Sequence, residues 1–185
     1  MPFGRAKKKT EPLDEAALYD YAVMALGRHM RTVAEMKRLM RRRVEAGETG
    51  AAKMDAVVAR LVEQRYLNDT SFASDYTRLR LENSSFGKRR VQQDLMQKGV
   101  HSEVIAKTLD AAYEEISEEE LARRHLERKR VRKPADEKGA ARVMRLLVRA
   151  GFSTGVIFRI LKKWDVDEDA LAALETMDLD GPEGS

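Results

Sequence analysis

The sequence predicts an all-α protein of tandem three-helix bundles, three units in a row forming an elongated curved rod. Three observations carry that prediction. Apolar residues recur at helical spacing along nearly the whole chain, while the alternation of a strand is absent. Helix start and stop signals punctuate those stripes. Two segments, Leu95 to Leu109 and Leu147 to Leu161, repeat one another fifty-two residues apart.

The elements follow in order, about nine helices in all. Residues 1–13 read as a basic flexible segment, and the first unit then runs over 14–67. Asp14 is a candidate cap, and Thr32 with Glu35 has capping-box spacing, in which each side chain satisfies an orphan amide of the first turn. Met36, Leu39, Met40 and Val44 mark one helix, and Met54, Val57, Val58, Leu61 and Val62 the next. The second unit, 68–116, opens on Asn68 or Asp69 as a cap and carries the stripe Phe72, Ala73, Tyr76 and Leu79. Gly99 before Val100 fits a left-handed glycine stop with an apolar residue folding back, and Ser102 is a further cap. The third unit, 117–165, begins on the capping pair Ser117 and Glu120, and Pro134 separates two of its helices. Val143, Leu146, Leu147 and Ala150 precede a second glycine stop at Gly151-Phe152, after which come Ile157, Ile160, Leu161 and Trp164. Residues 166–185 read as an acidic tail.

The repeat has the form Leu-x-x-x-Gly-apolar, a polar cap, Val-Ile and a final Leu. An upstream copy from Leu39 to Leu61 carries eight extra residues, assigned to about 45–52 between its second and third helices. A bundle of about fifty residues has a thin core, so neighbours must stack to bury more. Function is then expected on a long surface and not in one deep pocket.

Composition narrows the classes of function. Of the 185 residues, 36% are charged against about 25% in an average domain, and there is no Cys. A disulfide framework, a thiolate nucleophile and a cysteine-built zinc site are excluded. No segment approaches the ~18 apolar residues of a membrane span, and a cytoplasmic protein without a targeting segment is expected. The net charge of +4 conceals blocks. Arg28 to Val44 holds seven basic residues and one acidic, Glu103 to Glu120 seven acidic and one basic, and Arg123 to Arg145 ten basic and three acidic. Asp165 to Ser185 has eight acidic residues and no basic one. A basic body with an acidic tail points to an anionic partner, the tail tuning or mimicking that contact.

A search for catalytic chemistry finds no constellation. Gly87-Lys88 resembles half a phosphate loop, but Glu82 and Arg89 stand where the cradle glycine and the magnesium hydroxyl belong. His29, His101 and His125 lack partners at metal-ligand spacing and are expected in exposed polar roles. No cofactor, metal or catalytic residue is assigned. Lys88, Arg89 and Arg90 are harder to explain, because they fall in the first turn of a helix, where the macrodipole disfavours cations by about 0.3–1 kcal/mol each. An anionic partner would account for them. Arg41, Arg42 and Arg43, and Arg128, Lys129 and Arg130, pose the same question in the other units, although positions near helix C-termini suit their charge.

The string Tyr66-Leu67-Asn68-Asp69-Thr70-Ser71-Phe72-Ala73, followed by Phe86-Gly87-Lys88-Arg89-Arg90-Val91-Gln92-Gln93-Asp94-Leu95-Met96-Gln97-Lys98-Gly99-Val100, resembles the RecX family of RecA regulators. The resemblance spans about Leu18 to Trp164 and includes Leu146 to Ser153 in the third unit. It implies tandem three-helix repeats and binding along the groove of the RecA nucleoprotein filament, with ATP hydrolysis, strand exchange and coprotease activity inhibited. Two features depart from the pattern: the insertion in the first unit and the acidic tail.

Physically the motif residues divide by role. Tyr66 and Leu67 are expected to close one bundle, Asn68 or Asp69 to cap the next helix, Phe72 to enter the core, and Gly87 and Gly99 to serve backbone turns. The exposed remainder, Lys88, Arg89, Arg90 and Lys98, is the expected partner contact, with Arg41 to Arg43 and Arg128 to Arg130 as further candidates. The expected partner is the RecA filament, bound by a monomer, with weak DNA contact that is not sequence-specific. The alternative is a direct DNA-binding protein of the helix-turn-helix kind, for which Arg89, Arg90, Gln92 and Gln93 come nearest to a reading face.

Overall fold

A computed structural model describes residues 11–167 and Ala172. Most of the basic segment expected at 1–13 and of the acidic tail expected at 166–185 lies outside the described residues. Within them are nine helices and no strand: α1 Glu15–Leu26, α2 Val33–Met40, α3 Glu48–Glu63, α4 Asp69–Ser84, α5 Lys88–Gln97, α6 Ser102–Tyr113, α7 Glu118–Arg128, α8 Glu137–Arg149 and α9 Thr154–Lys163.

Local chemistry explains the ends. The Asp14 carboxylate accepts from the Ala17 amide at 2.8 Å, and Asp136 does the same for Gly139 at 2.7 Å. Thr32 and Glu35 form both halves of a capping box. Gly99 and Gly151 adopt φ of 81° and 87°, the left-handed conformation that costs glycine little and ends α5 and α8.

The chain divides into two compact units. Among the described residues, one holds residues 11–73 together with Met96–Val104, and the other holds Ser74–Leu95 with residues 105–167. In the first, α1, α2 and α3 pack around Leu18, Ala22, Met36, Met40, Val57, Leu61 and Leu67. In the second, α7, α8 and α9 enclose Leu121, Leu126, Val143, Leu147, Ile157, Ile160 and Leu161. Each buried Val, Leu, Ile or Met side chain taken from water contributes about 1.5–3 kcal/mol before entropy is counted.

Several expectations need correction. Val62 and Leu79, read as stripe residues, are 46% and 45% exposed. The buried residues of α4 are Phe72, Ala73 and Thr77, because its inner face is one helical step away from Leu79. Tyr66 is 57% exposed, so Leu67 closes the first bundle without it. The extra residues of the upstream copy are not a plain loop: they supply the turn to Gly47 and the first part of α3, whose sixteen residues exceed the twelve of α6 and ten of α9. His125 is buried, not exposed. Its ring lies 5.7 Å from that of Phe86 and 6.0 Å from that of Phe152, and Nδ1 donates to the Ser84 carbonyl at 2.7 Å.

Candidate functional site

The motif that carries the resemblance builds, first of all, a joint. In the first unit, the turn that ends α5 docks on the first turn of α2. Thr32 Oγ1 donates to the Lys98 carbonyl at 2.6 Å, and Lys98 Nζ reaches Glu35 at 2.9 Å and lies 5.4 Å from the Phe72 ring centre. A Cβ on Gly99 would sit 2.4 Å from that of Ala34, so only glycine permits the approach. The Asp69 carboxylate accepts from the Val33 amide at 2.9 Å, and burial raises its pKa above the ordinary value. Asn68 is the residue that caps α4, accepting from the Ser71 amide at 2.9 Å.

The second unit contains the same device one repeat later. The turn that ends α8 docks on the first turn of α5, and the Gly87 amide donates to the Ala150 carbonyl at 2.9 Å. A Cβ on Gly87 would stand 2.3 Å from the Gly151 carbonyl oxygen. Gly87 is therefore a close-approach glycine and not the turn glycine expected. Arg128 braces this region by donating to the carbonyls of Asn83, at 3.1 Å, and Glu82. The Tyr113 hydroxyl donates to the Phe86 carbonyl at 2.9 Å, and burial pushes its pKa well above the usual phenol value.

These joints sort the candidate cations. Lys98 and Arg128 are bound into the framework. Arg90 lies against Asp94, with Nε 3.1 Å from Oδ1 but poorly aimed for a hydrogen bond, and its guanidinium is 5.7 Å from the Phe86 ring centre. Lys88 pairs with Asp110 at 2.7 Å across an open cleft of 670 Å³, where Gln92, Tyr113, Glu114, Glu118 and Ser153 also stand. Arg89 lines the cleft, is exposed and makes no ion pair among the described residues. Arg41 and Arg42, just beyond α2, and Lys129 and Arg130, just beyond α7, are exposed. Arg43 stacks on Tyr21 with its guanidinium 4.9 Å from the ring centre. The candidates thus differ in what holds them, and several of them serve the framework instead of facing outward.

One basic surface is not built from consecutive cations. Lys138, Arg142, Arg145 and Arg149 are all exposed on α8, at successive spacings of four, three and four residues. That spacing places them within one narrow line, opposite buried Ala140, Val143, Met144 and Leu147. The helical period itself was the available signal. Among the described residues no three His, Asp or Glu side chains gather where a metal could sit, and no helix is long and apolar enough to cross a membrane.

Comparison with known proteins bears on these features directly. Residues 68–109 match the family description "RecX, second three-helix domain", and 117–161 match "RecX, third three-helix domain". The chain is 32% identical over 170 residues to Regulatory protein RecX of Myxococcus xanthus, covering 85% of this chain and 90% of that one. The chain belongs to the RecX family. A second relative, Regulatory protein RecX of Oceanobacillus iheyensis, is 28% identical over 166 residues, and the match covers 88% of this chain and 59% of that longer protein. A solved structure titled "Crystal structure of regulatory protein RecX" shares the fold, with a TM-score of 0.64 at 21% identity over 80% of this chain and 71% of that one. Both joints fall on RecX sequence: Asp69, Gly87 and Gly99 lie within the match to the second domain, and Gly151 within the match to the third.

Proposed function

We propose that this protein is a non-enzymatic regulator of the RecA recombinase, one that binds in the groove of the RecA–DNA filament and suppresses ATP hydrolysis, strand exchange and coprotease activity. Membership of the RecX family, whose relatives are named regulatory proteins, is the observation that carries the reading. Dispersed cations support it, since separate exposed groups at Arg41 and Arg42, at Arg89, and at Lys129 and Arg130 suit contacts with several acidic faces and phosphates at once. A regulator that spans subunits hinders the conformational cycle linking nucleotide turnover to exchange. The working division is three helical modules bounded at 14–67, 68–116 and 117–165, of which the second and third overlap the matched family domains.

The deciding experiment titrates the protein into the DNA-dependent ATPase reaction of its cognate recombinase at physiological salt. Saturable loss of ATPase, with tighter binding to filament-coated than to naked single strands, is the expected result. Undiminished ATPase and no association with filaments would overturn the reading. One observation favours direct DNA binding as a second reading: Arg89, Gln92 and Gln93 are exposed together on α5 at i, i+3 and i+4. Tight binding of one duplex sequence at physiological salt would select it, whereas salt-steep binding without sequence preference reports phosphate contact alone.

A further inference from the structure

Helices of this chain end repeatedly on a left-handed residue, at Arg65, Ser85, Gly99, Arg130, Gly151 and Asp165. Such a stop turns the chain back, and an apolar side chain in the next position commonly packs on the helix it has just left. Phe86, Val100, Val131, Phe152 and Val166 follow that rule, and all are buried or half-buried. Tyr66, the residue after Arg65, is the exception among the described residues, at 57% exposed. Its backbone is regular, since the Tyr66 amide donates to the Leu61 carbonyl at 2.9 Å just as the Val131 amide donates to that of Leu126 at 3.0 Å. The stop is intact, yet the ring stays outside the core and its hydroxyl makes no hydrogen bond among the described residues.

Tyr66 lines an open cleft of about 540 Å³ in the first unit. Val23 and Leu26 of α1, with Met30 and the buried Phe72, give the cleft apolar walls. Its polar lining consists of Arg31, Arg65, Asn68 and Ser71, and no Asp or Glu is among the described residues that line it. Arg31 Nε is shielded from water and has no hydrogen-bond partner among the described residues, a costly state for a charged donor unless an acceptor arrives. Arg65 is exposed and makes no ion pair among the described residues. Asn68 Oδ1 accepts from the Ser71 amide at 2.9 Å, which leaves the Asn68 side-chain nitrogen to donate. An apolar side chain from a protein would fill the walls and leave these donors unmatched. A nucleobase satisfies both, because it pairs a flat stacking face with acceptors along its edge and carries a phosphate beside it.

We infer that this cleft holds an unpaired base of single-stranded DNA, stacked on Tyr66, with Arg31 and Asn68 at the base edge and the adjoining phosphate on Arg65. The choice of DNA over RNA rests on the filament reading. The stacking does not, and it is tested with oligonucleotides in the absence of recombinase, so either reading can fail without the other. Stacking tolerates any base, so the cleft adds affinity for single strands without sequence preference.

Fluorescence anisotropy tests the site on the full-length parent chain, Tyr66→Ala and Tyr66→Phe, with a labelled oligothymidylate, an abasic strand of the same length and an oligouridylate. Oligothymidylate should bind roughly tenfold tighter than the abasic strand, and oligouridylate no tighter than oligothymidylate. Tyr66→Ala should abolish the preference for bases while affinity for the abasic strand, salt dependence and melting temperature hold, because stacking carries no charge and the ring lies outside the core. Tyr66→Phe should retain the preference, and the Met30 methyl resonance should shift as oligothymidylate is added to the parent chain. Equal affinity for the two DNA strands, a preference that survives Tyr66→Ala, or an equal loss of both strands in that variant would overturn the site. Tighter binding of oligouridylate would pass the cleft to RNA. A Met30 methyl that moves with protein concentration would pass it to a second copy, and one that moves with added recombinase but not with oligothymidylate would pass it to a protein partner; each of these results overturns the proposal.

Discussion

A Cβ on Gly151 would stand 2.3 Å from the backbone nitrogen of Arg90, closer than any side chain tolerates. The same residue holds φ at 87°, so two independent constraints, one local and one across sixty-one residues of chain, demand glycine at this point.

Gly151→Ala should therefore destabilise the second unit by about 2–4 kcal/mol, more than the 1–2 kcal/mol of a left-handed alanine alone. Gly155→Ala is the control. It lies in α9 with open space around its Cα and no positive φ, and should raise stability by about 0.5–1 kcal/mol. Thermal denaturation of the two variants against the parent chain measures both, and equal melting temperatures would contradict the joint.

Thr32 caps α2 through Glu35 and also bonds the Lys98 carbonyl. Thr32→Ala removes both contacts and should cost about 1–2 kcal/mol, whereas Thr32→Ser keeps the oxygen and should cost far less. Urea unfolding of the two variants separates a lost hydroxyl from a lost methyl.

Burial lowers the pKa of His125 from its ordinary 6.5, with Lys129 and Arg128 adding to the shift and the Ser84 hydrogen bond opposing it. The folded state then binds fewer protons than the unfolded state at mildly acidic pH. Stability is full above pH 6.5 and declines as pH falls below it toward the lowered folded value. His125→Gln should remove this part of the pH dependence, which a series of urea midpoints between neutral and mildly acidic pH would reveal as a flatter profile.

Arg89 is the cation of the first α5 turn that is exposed and makes no ion pair among the described residues, while Arg90 lies against Asp94 and Phe86. Arg89→Glu should weaken suppression of the recombinase ATPase roughly tenfold at an unchanged melting temperature, as expected for a rim charge. Arg90→Glu faces the Asp94 carboxylate and should lower the melting temperature. Equal effects of the two reversals on ATPase suppression at equal stability would remove the distinction.

Much of this architecture was legible along the chain. Nine helices among the described residues, the Thr32 to Glu35 capping box and the left-handed stops at Gly99 and Gly151 all follow from interactions within four or five residues, where sequence order and spatial order coincide. Family resemblance was equally legible, because the residues of the two joints are concentrated in one continuous string. The fate of individual cations was not. Whether Lys98, Arg90 or Arg128 faces a partner or braces the fold depends on Glu35, Asp94 and the carbonyls ending α4, and for Lys98 and Arg128 those groups lie forty-five or more residues away.

By itself, then, the sequence determined which segments coil, where they stop and to which family the chain belongs, since helix formation and capping are short-range. Tertiary structure alone decided that Gly87 is a point of contact and that His125 is buried between two phenyl rings. Those outcomes depend on packing between distant segments, and only close approach in space reveals which polar group is matched and which is left for another molecule.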